Sequence, residues 1–320
     1  MNLENIPTVD LALFLKGNFE EKNHFVQQLG QAYEETGFVA VKNHGLSEEL
    51  TTKLYDKFEA FFHLPDEIKQ KYFIEGIAGQ RGYTGKGKEN AKGRTVGDLK
   101  EFFHVGQEHP LPGSEPSQFP PNVPVTEISD LLTTGIEVYK ALEIAGESLL
   151  QAIALYLHLD EFYFDNKIKG GNSILRAIHY FPILNPNEVP EGAVRAAEHE
   201  DINLITLLMG ASAEGLEIQK KDGSWIPVTA LPEQIVVNVG DMLERLTNNK
   251  LRSTTHRVVN PPKEKMGTSR FSMPFFMHPV PEMDLSCLPN CIDNEHPKSY
   301  PDINAGDFLF QRLKEIGLKA

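Results

Sequence analysis

The apolar positions of the first half of the chain repeat at helical intervals. Residues 19–36 carry apolar side chains three and four positions apart, and the pattern stops at Gly37, which suits the left-handed conformation that closes many helices. A second helix is predicted over 47–64. The longest helical pattern covers 127–159 and predicts a helix that braces the core.

After residue 170 the apolar pattern changes to short strand-like segments. They are rich in β-branched or aromatic residues and separated by turn signals. The segments are ILRAIHYF, INLITLLM, LEIQ, WIPV, QIVVNV, LRSTTHRV and RFSMPFFM. Asp222-Gly223 predicts a hairpin with a type I′ turn between two of them. Because no helix of crossover length separates the segments, we expect antiparallel strands in a jelly roll or sandwich.

Three further segments fall outside these patterns. Residues 76–93 are rich in Gly and Lys and predict a loop or hairpin, which we expect to lie over the mouth of an active site. Residues 108–126 contain six prolines and predict an extended connector. Residues 308–318 predict a closing amphipathic helix. The fold class is therefore mainly β with flanking helices, an α+β arrangement.

Composition narrows the classes of partner. The chain has 320 residues and a net charge of −14, and no stripe of Lys and Arg offsets that charge, so we expect no nucleic-acid partner. We expect no membrane span, since no stretch approaches 18 apolar residues. The first residues do not match a secretory signal. With only Cys287 and Cys291, the chain suits a reducing compartment, and we expect a cytoplasmic location.

His199-Glu200-Asp201 is the first candidate for chemistry. In an extended strand, residues two apart point to the same face, so His199 and Asp201 make two legs of a metal site. His256, on a later strand, supplies the third. Two imidazoles and one carboxylate leave three adjacent positions open, as in non-haem Fe(II) oxygenases, whereas a zinc site ordinarily leaves one. His158 belongs to a second H-x-D match, but it lies at a helix end, where a two-residue step does not align side chains.

Two arginines are candidates for binding anions. Arg270 and Ser272 share one strand face, and a guanidinium beside a hydroxyl suits the far carboxylate of a dicarboxylic acid. The alternative is an ion pair between Arg270 and a surface carboxylate. If the strand of His199 continues backward, Arg195 also faces the metal, which motivates the hypothesis that it binds an anionic group of a small substrate. The alternative is a solvent-facing Arg195 after a turn.

Taken in order, these residues resemble the isopenicillin N synthase-like family of Fe(II)/2-oxoglutarate-dependent oxygenases. The order is H-x-D, a gap of 57 residues to His256, then R-x-S fourteen residues later. IPTVDL, GFVAVKNHG and DGSWIPV are also similar to family segments, so the resemblance covers nearly the whole chain. It implies a distorted double-stranded β-helix, or jelly roll, backed by helices.

The resemblance also implies roles for residues and a division of the chain. His199, Asp201 and His256 would bind Fe(II), and Arg270 and Ser272 the distal carboxylate of 2-oxoglutarate. The implied parts are an N-terminal helix and strand region, a long bracing helix, the jelly-roll core, and a C-terminal extension with a helix. Their bounds are 1–125, 126–160, 161–281 and 282–320.

One position departs from the family pattern. Many members have Asn-x-Tyr in the strand before the metal motif, with the Tyr assisting the cosubstrate. Here His179 takes the Asn place and Phe181 the Tyr place. Tyr180 substitutes only if the strand register differs, and we include it as a candidate cosubstrate residue on that condition.

The implied reaction is the oxidation, by default the hydroxylation, of a small molecule. 2-Oxoglutarate and O₂ are consumed and succinate and CO₂ released, with ascorbate as a candidate reductant. The substrate class that we favour is a carboxylic acid or an amino acid. An Fe(II) oxidase that uses no 2-oxoglutarate stays open, because in isopenicillin N synthase the R-x-S pair serves the substrate's own carboxylate.

Two alternatives lie outside this family. Residues 82–89 nearly match a phosphate-binding loop but end in Glu89, which has no hydroxyl for magnesium, so we reject a nucleotide site. A non-catalytic zinc module would use Cys287, Cys291, His278 and His296. The spacing lacks paired C-x-x-C, and free cysteines are the better interpretation.

Overall fold

The computed structural model describes residues 5–77, 79–87, 100–108, 119–184, 194–210, 215–229 and 231–315. Most of the proline-rich connector and the second half of the 76–93 segment lie outside these ranges. Helices α1 to α8 span Leu11–Lys16, Phe19–Glu35, Glu48–Phe62, Asp66–Lys69, Leu131–Tyr156, Asp165–Ile168, Asp241–Leu246 and Ala305–Glu315. None of the helices within the described residues is long and apolar enough to traverse a lipid bilayer.

Between residues 170 and 280 the described chain is mostly short strands, interrupted by α7, as the change of period predicts. Strands β1 to β12 span Thr8–Asp10, Phe38–Lys42, Gly82–Thr84, Lys100–Gly106, Ile174–Tyr180, Ala196–His199, Ile205–Met209, Leu216–Gln219, Trp225–Pro227, Ile235–Val239, His256–Val258 and Arg270–Met277.

The strands form two facing sheets. The larger has the order β1-β2-β10-β7-β12-β5-β4-β3, and the smaller has the order β6-β11-β8-β9. Among the described strands every pair is antiparallel except β1 with β2. The antiparallel prediction for the second half of the chain is therefore confirmed.

Strand β12 shows how the alternation of side chains divides the molecule into layers. Phe271 and Phe275 belong to the cluster that packs against the helices, and the Phe275 ring meets that of Tyr139 in α5 at 4.9 Å. Arg270 and Ser272 take the opposite face, because successive strand residues alternate. One face of the larger sheet is therefore covered by helices, and the other faces the smaller sheet.

A small apolar cluster lies between the two sheets. It joins Phe102, Ile178 and Tyr180 of the larger sheet to Leu216 and Val258 of the smaller one. Ile178 pairs directly with Ser272. The inward-facing residues of β12 therefore line the space between the sheets, which is where the candidate site lies.

The predicted helices form, with shifted ends. The capping box at the start of α2 joins Asn18 and Glu21, and Gly37 after its end has φ +71°, as its sequence position predicts. Helix α5 begins later than predicted, at Leu131, because Asp130 adopts a left-handed φ of 58° that breaks the helical path. It remains the longest helix in the described residues.

The hairpin between β8 and β9 forms, but the predicted turn type is wrong. Gly223 has φ +83°, whereas Asp222 is absent from the positive-φ residues of the described chain. A type I′ turn needs positive φ at both positions. Instead, the N–H of Gly223 donates to the carbonyl of Lys220, and the N–H of Lys220 donates to the carbonyl of Ser224 at 2.8 Å. These hydrogen bonds close a longer loop that contains one left-handed glycine.

Candidate metal centre and cosubstrate site

His199, Asp201 and His256 meet between the two sheets. His199 ends β6, His256 begins β11, and the two residues pair directly across the strands. Their ring centroids lie 4.3 Å apart, and Nε2 of His256 lies 3.8 Å from Oδ1 of Asp201. Each residue offers one ligand atom within 4.8 Å of the others. The three side chains that the sequence singles out are therefore brought together.

Both imidazoles are oriented by backbone carbonyls. Nδ1 of His199 lies 2.7 Å from the carbonyl oxygen of Ala197, and Nδ1 of His256 lies 3.1 Å from that of Thr254. A carbonyl only accepts hydrogen bonds, so the proton of each neutral ring is assigned to Nδ1. The Nε2 lone pair of each ring is then available to a cation, in the arrangement usual for metal-bound histidines.

Asp201 is oriented by side chains of the larger sheet. We predict from the sequence that it lies in the same strand as His199, but β6 ends at His199, so this prediction is wrong. The carboxylate is directed instead by two donors to Oδ2, Thr206 Oγ1 at 2.6 Å and Asn238 Nδ2 at 2.8 Å. Oδ1 is left on the side of His256.

The protonation states suit metal binding at neutral pH. His199 is exposed as a residue, yet enough protein surrounds its ring that loss of water, followed by repulsion from His256, lowers its pKa to about 4. Burial alone would raise the pKa of Asp201. The neighbouring His256 and His199 and the hydrogen bonds from Asn238 and Thr206 outweigh burial and hold that pKa below its ordinary value. The site thus presents a carboxylate and a neutral imidazole.

The segment before His256 rests on the end of α2. Thr254 Oγ1 donates to the carbonyl of Thr36 at 2.8 Å. A Cβ on Gly37 would lie 2.3 Å from the carbonyl oxygen of Arg252, so only glycine fits this approach. The N-terminal region therefore supports the strand that carries His256.

The donor set fits an iron(II) ion. Two neutral imidazoles and one carboxylate supply nitrogen and oxygen ligands to one side of a cation and leave the other side for small molecules. No opposing protein ligand is found within the described residues, where these three residues form the single group of His, Cys, Asp or Glu side chains able to hold a metal.

Arg270, Ser272 and Tyr180 share the face between the sheets. Arg270 pairs directly with Tyr180, and its guanidinium carbon lies 4.9 Å from the centre of the Tyr180 ring. Phe181 lies on the other side of the strand, with its ring 5.1 Å from that of His179. The register that the Tyr180 assignment requires is therefore present.

Arg195 is fully buried, with 0% exposure, rather than solvent-facing. Its Nη2 donates to the carbonyl of Thr268 at 2.6 Å, which places the guanidinium beside the start of β12. Burial, reinforced by the positive charge of Arg270, lowers the pKa of Arg195. The guanidinium of Arg195 therefore lies close to that of Arg270.

Arg176 is an inward-facing residue that we did not single out from the sequence. It alternates with Ile178 and Tyr180 along β5, and its guanidinium carbon lies 5.2 Å from the ring centre of Phe276. Phe276 pairs with Thr206, the donor to Asp201. The alternation of ILRAIHY was the available signal, because it puts Arg176 on the face of Tyr180.

His179 belongs to a buried polar network on the helix side of the sheet. Its Nδ1 lies 2.8 Å from Glu101, and its Nε2 lies 2.9 Å from Ser269 Oγ, next to Arg270. Glu101 also accepts from Lys69 at 2.8 Å and Tyr83 at 2.6 Å. His179 therefore faces away from the three metal-site residues. Its contact with Ser269 supports the start of β12 from the helix side of the sheet.

The sequence alternatives gain no support from the described residues. His158 follows the end of α5 with φ 55°, so it is a helix-end residue. Cys287 donates to the carbonyl of Arg245, and His296 contacts Asp293, so the proposed zinc ligands do not converge. Of the phosphate-loop match, 82–84 form a strand, and Glu89 lies outside the described ranges.

An antiparallel jelly roll in which two imidazoles and a carboxylate converge defines the class of non-haem Fe(II) oxygenases. Known proteins agree with this class. The family described as non-haem dioxygenase in morphine synthesis N-terminal matches residues 6–126, and the 2OG-Fe(II) oxygenase superfamily matches residues 171–279.

Individual relatives match nearly the whole chain. A Caulobacter crescentus protein of the 2OG-Fe(II) oxygenase family is 41% identical, with a TM-score of 0.86 over 97% of this chain and 99% of that one. A Neurospora crassa protein solved in complex with alpha-KG and thymine is 30% identical, with a TM-score of 0.85 over 97% and 96%. A proline hydroxylase of Petromyces alliaceus, buaE, is 31% identical over 96% of this chain and 98% of its own.

The chain belongs to the 2OG-Fe(II) oxygenase superfamily, which confirms the resemblance and the double-stranded β-helix fold. It is a 2-oxoglutarate-dependent dioxygenase that acts on a small-molecule substrate and uses Fe(II), 2-oxoglutarate and O₂. The alternatives of an oxidase without 2-oxoglutarate and of a non-catalytic module are not supported.

Proposed function

We propose that His199, Asp201 and His256 are the iron ligands of this dioxygenase. The observation that carries the proposal is their convergence within 4.8 Å, with both Nδ1 atoms engaged by carbonyls. The described residues contain no competing group of metal-binding side chains. In this proposal the metal lies at the end of the space between the sheets where His199, Asp201 and His256 converge.

The cosubstrate residues in this proposal are Arg270, Ser272 and Tyr180. The guanidinium and the two hydroxyls suit the distal carboxylate of 2-oxoglutarate, because a planar fork can donate to both oxygens. Their common face toward the space between the sheets supports this role.

The remaining chemistry follows from what each residue holds. Bound Fe(II) supplies the redox chemistry that couples decarboxylation of 2-oxoglutarate to oxidation of the substrate by O₂. Thr206 and Asn238 keep Oδ2 of Asp201 occupied, so Oδ1 is the oxygen directed at the cation. Ile178 and Val258, both buried between the sheets, keep that space apolar.

We propose a small carboxylic acid or amino acid as substrate. The sequence suggests Arg195 as the residue for its anionic group, but Arg176 is better suited, because it lies close to Phe276, which pairs with Thr206 beside Asp201. Nε of Arg176 donates to His104 at 2.6 Å, so one edge of its guanidinium is already fixed. Proline, named for the buaE relative, is of the proposed class, whereas thymine, bound to the Neurospora crassa relative, is not an acid.

The ligand assignment is tested with two matched His→Asn variants. We expect His256→Asn to lose stoichiometric Fe(II) binding under anaerobic conditions, measured by calorimetry and metal analysis. His158→Asn, in the second H-x-D match, should bind iron like the wild type, since Asn tolerates its left-handed backbone. Full iron occupancy in His256→Asn would overturn the assignment.

The substrate class is tested by succinate formation with a panel of small acids, amino acids and neutral rings such as thymine. Arg176→Gln should raise KM for an acid by about tenfold or more, because a charge-assisted hydrogen bond is lost. Turnover restricted to neutral compounds would overturn the acid proposal.

The proposal also covers the division of the chain into parts and its location in the cell. We propose divisions of the chain at 125, 160 and 281; the ends of the family matches at 126 and 279 support the first and the last, and mapping of limited-proteolysis sites in the full chain tests all three. A cytoplasmic location is supported by the two unpaired cysteines, Cys287 and Cys291, and is tested by cell fractionation.

A further inference from the structure

Arg195 is a buried cation with unused hydrogen-bond donors. It has 0% exposure, and only Nη2 is engaged, by the carbonyl of Thr268 at 2.6 Å. Its Nε and Nη1 are buried without a hydrogen-bond partner in the described part of the chain. Burying a charged group with unsatisfied donors is costly, so such a group calls for a ligand.

The position of Arg195 identifies which end of the site that ligand occupies. Thr268, its one partner, lies two residues before Arg270. Ala196, the next residue along the chain, packs in the cluster that contains Tyr180. Arg195, the residue before β6, therefore lies close to the place where the larger sheet presents Arg270 over the Tyr180 ring.

Several cationic side chains lie at this end. Tyr180 pairs with Lys100 of β4 on one side and with Arg270 of β12 on the other, so these three residues lie side by side across the larger sheet. Arg195 adds a further cation from the opposite side. Arg195 and Arg270 repel each other, and an anion that accepts hydrogen bonds from both relieves that repulsion.

We propose that Arg195, just before β6, and Arg270, in β12, bind the distal carboxylate of 2-oxoglutarate together. Each two-donor edge of a guanidinium pairs Nη2 with either Nη1 or Nε, and Thr268 takes only one of the two Nη2 hydrogens, so one edge remains for the two oxygens of a carboxylate. This inference rests on the proposed function, in which Arg270 and Ser272 bind that group. It reassigns Arg195 from the substrate to the cosubstrate.

A substrate anion is a poorer match for Arg195. The inward-facing cation beside Phe276 is Arg176, four residues from Tyr180 along β5. Four residues of strand correspond to about 13 Å. A substrate anion bound at Arg176 would therefore lie too far away to reach Arg195, whereas the distal carboxylate of 2-oxoglutarate bound at Arg270 would lie close to it.

The test measures binding rather than turnover. Fe(II)-loaded protein is titrated anaerobically with 2-oxoglutarate, and chelation is followed by the metal-to-ligand charge-transfer absorbance. The comparison ligand is 2-oxopentanoate, which has the same keto acid end and chain length but a methyl group in place of the distal carboxylate. We expect Arg195→Gln to weaken 2-oxoglutarate about 10- to 100-fold and to leave 2-oxopentanoate within about twofold.

Two further variants make the test specific. Arg195→Lys keeps the charge but loses the fork, so it should recover part of the affinity. Arg245 is a matched control, since it is also buried and donates to a backbone carbonyl, that of Pro301, with its guanidinium over the rings of Tyr300 and Phe308. Arg245→Gln should bind both ligands like the wild type.

The outcomes separate this inference from the proposed function. If wild-type protein gives no absorbance band with 2-oxoglutarate, the proposed function fails. If Arg270→Gln weakens 2-oxoglutarate selectively but Arg195→Gln does not, the inference alone is overturned. Equal losses for both ligands in Arg195→Gln would mark a structural role and would also overturn it.

Discussion

Thr206 Oγ1 donates to Oδ2 of Asp201 at 2.6 Å, and both residues are buried. Asp201 lies beyond the end of β6, so this hydrogen bond from β7 performs the orientation that a strand would otherwise supply. Asn238 of β10 donates to the same oxygen. The larger sheet therefore sets the direction of a carboxylate that the smaller sheet introduces.

The first prediction concerns Thr206→Val, which keeps the shape of the side chain but removes the donor. We expect Fe(II) affinity to fall about 10- to 100-fold, as is typical when a partner of a metal ligand is lost. Anaerobic calorimetry with Fe(II) measures it. Thr206→Ser keeps the hydroxyl and should stay close to the wild type. Unchanged affinity in Thr206→Val would show that the hydrogen bond does not orient a ligand.

The second prediction concerns the buried ion pair of Lys69 and Glu101, with side chains 4% and 1% exposed. Lys69→Met leaves a buried carboxylate without its cation, which should lower the free energy of unfolding by about 3–5 kcal/mol. Urea unfolding measures it. The exposed pair of Lys140 and Glu108 has the same 2.8 Å separation. Lys140→Met should cost less than about 1 kcal/mol, and equal losses would contradict the role of burial.

The third prediction is the pH dependence that Glu101 contributes. Burial opposes ionisation, but hydrogen bonds from His179, Lys69 and Tyr83 outweigh it and hold the pKa of Glu101 below its ordinary 4.5. The native state therefore favours the ionised form, and the resulting stability is present above pH 4.5 and lost as the pH falls through the lowered pKa. The stability advantage of wild type over Glu101→Gln should shrink between about pH 5 and 3. Urea midpoints across that range test it, and a constant difference would contradict it.

The fourth prediction has the opposite sign and concerns Glu147 on α5. Burial, followed by repulsion from Asp165, raises the pKa of Glu147. Its ionised form is therefore disfavoured in the native state, and stability is lost as the pH rises through the raised pKa. We expect Glu147→Gln to raise the free energy of unfolding at pH 7 by about 0.5 kcal/mol and to have no effect at about pH 4. Glu137→Gln, at an exposed position of the same helix, is the control and should change little at either pH.

The fifth prediction concerns the contact between α2 and α5. A Cβ on Gly30 would lie 2.2 Å from the ring of Tyr156, so Gly30→Ala forces two helices apart. Overpacking should cost about 1–3 kcal/mol, more than the roughly 1 kcal/mol that Ala gains in helix propensity. Gly135→Ala meets only Val105, whose Cγ2 lies at 3.2 Å, and should be nearly neutral. Urea unfolding of both variants tests the comparison.

Local patterns explain why much of the fold is readable from the sequence. The alternation of RFSMPFFM predicts β12 with the bounds found, Arg270–Met277, and it puts Arg270 and Ser272 on one face. His256 is found because its spacing from His199 matches a family with a known metal site. Such features depend on residues close together in the chain or on a family's order of motifs.

Features that depend on distant partners are not readable in this way. The pairing of His179 with Glu101 joins positions 78 residues apart, and nothing local marks either residue as ionic core. The prediction of a type I′ turn at Asp222 and Gly223 is wrong for another reason. The same dipeptide occurs in loops of two lengths, and the pairing of the strands decides between them. The orientation of Asp201 likewise depends on Thr206 and Asn238, which become neighbours only when the sheets form.

The contact of Thr254 with Thr36, and of Arg252 with Gly37, has an evolutionary consequence. The half of the chain without a proposed iron ligand helps to position His256. A substitution at the end of α2 would therefore be selected through metal retention as well as through folding. A chimera that joins the N-terminal region of one relative to the jelly roll of another would therefore need matching residues at both sides of this contact, Thr36 and Gly37 on one side and Arg252 and Thr254 on the other.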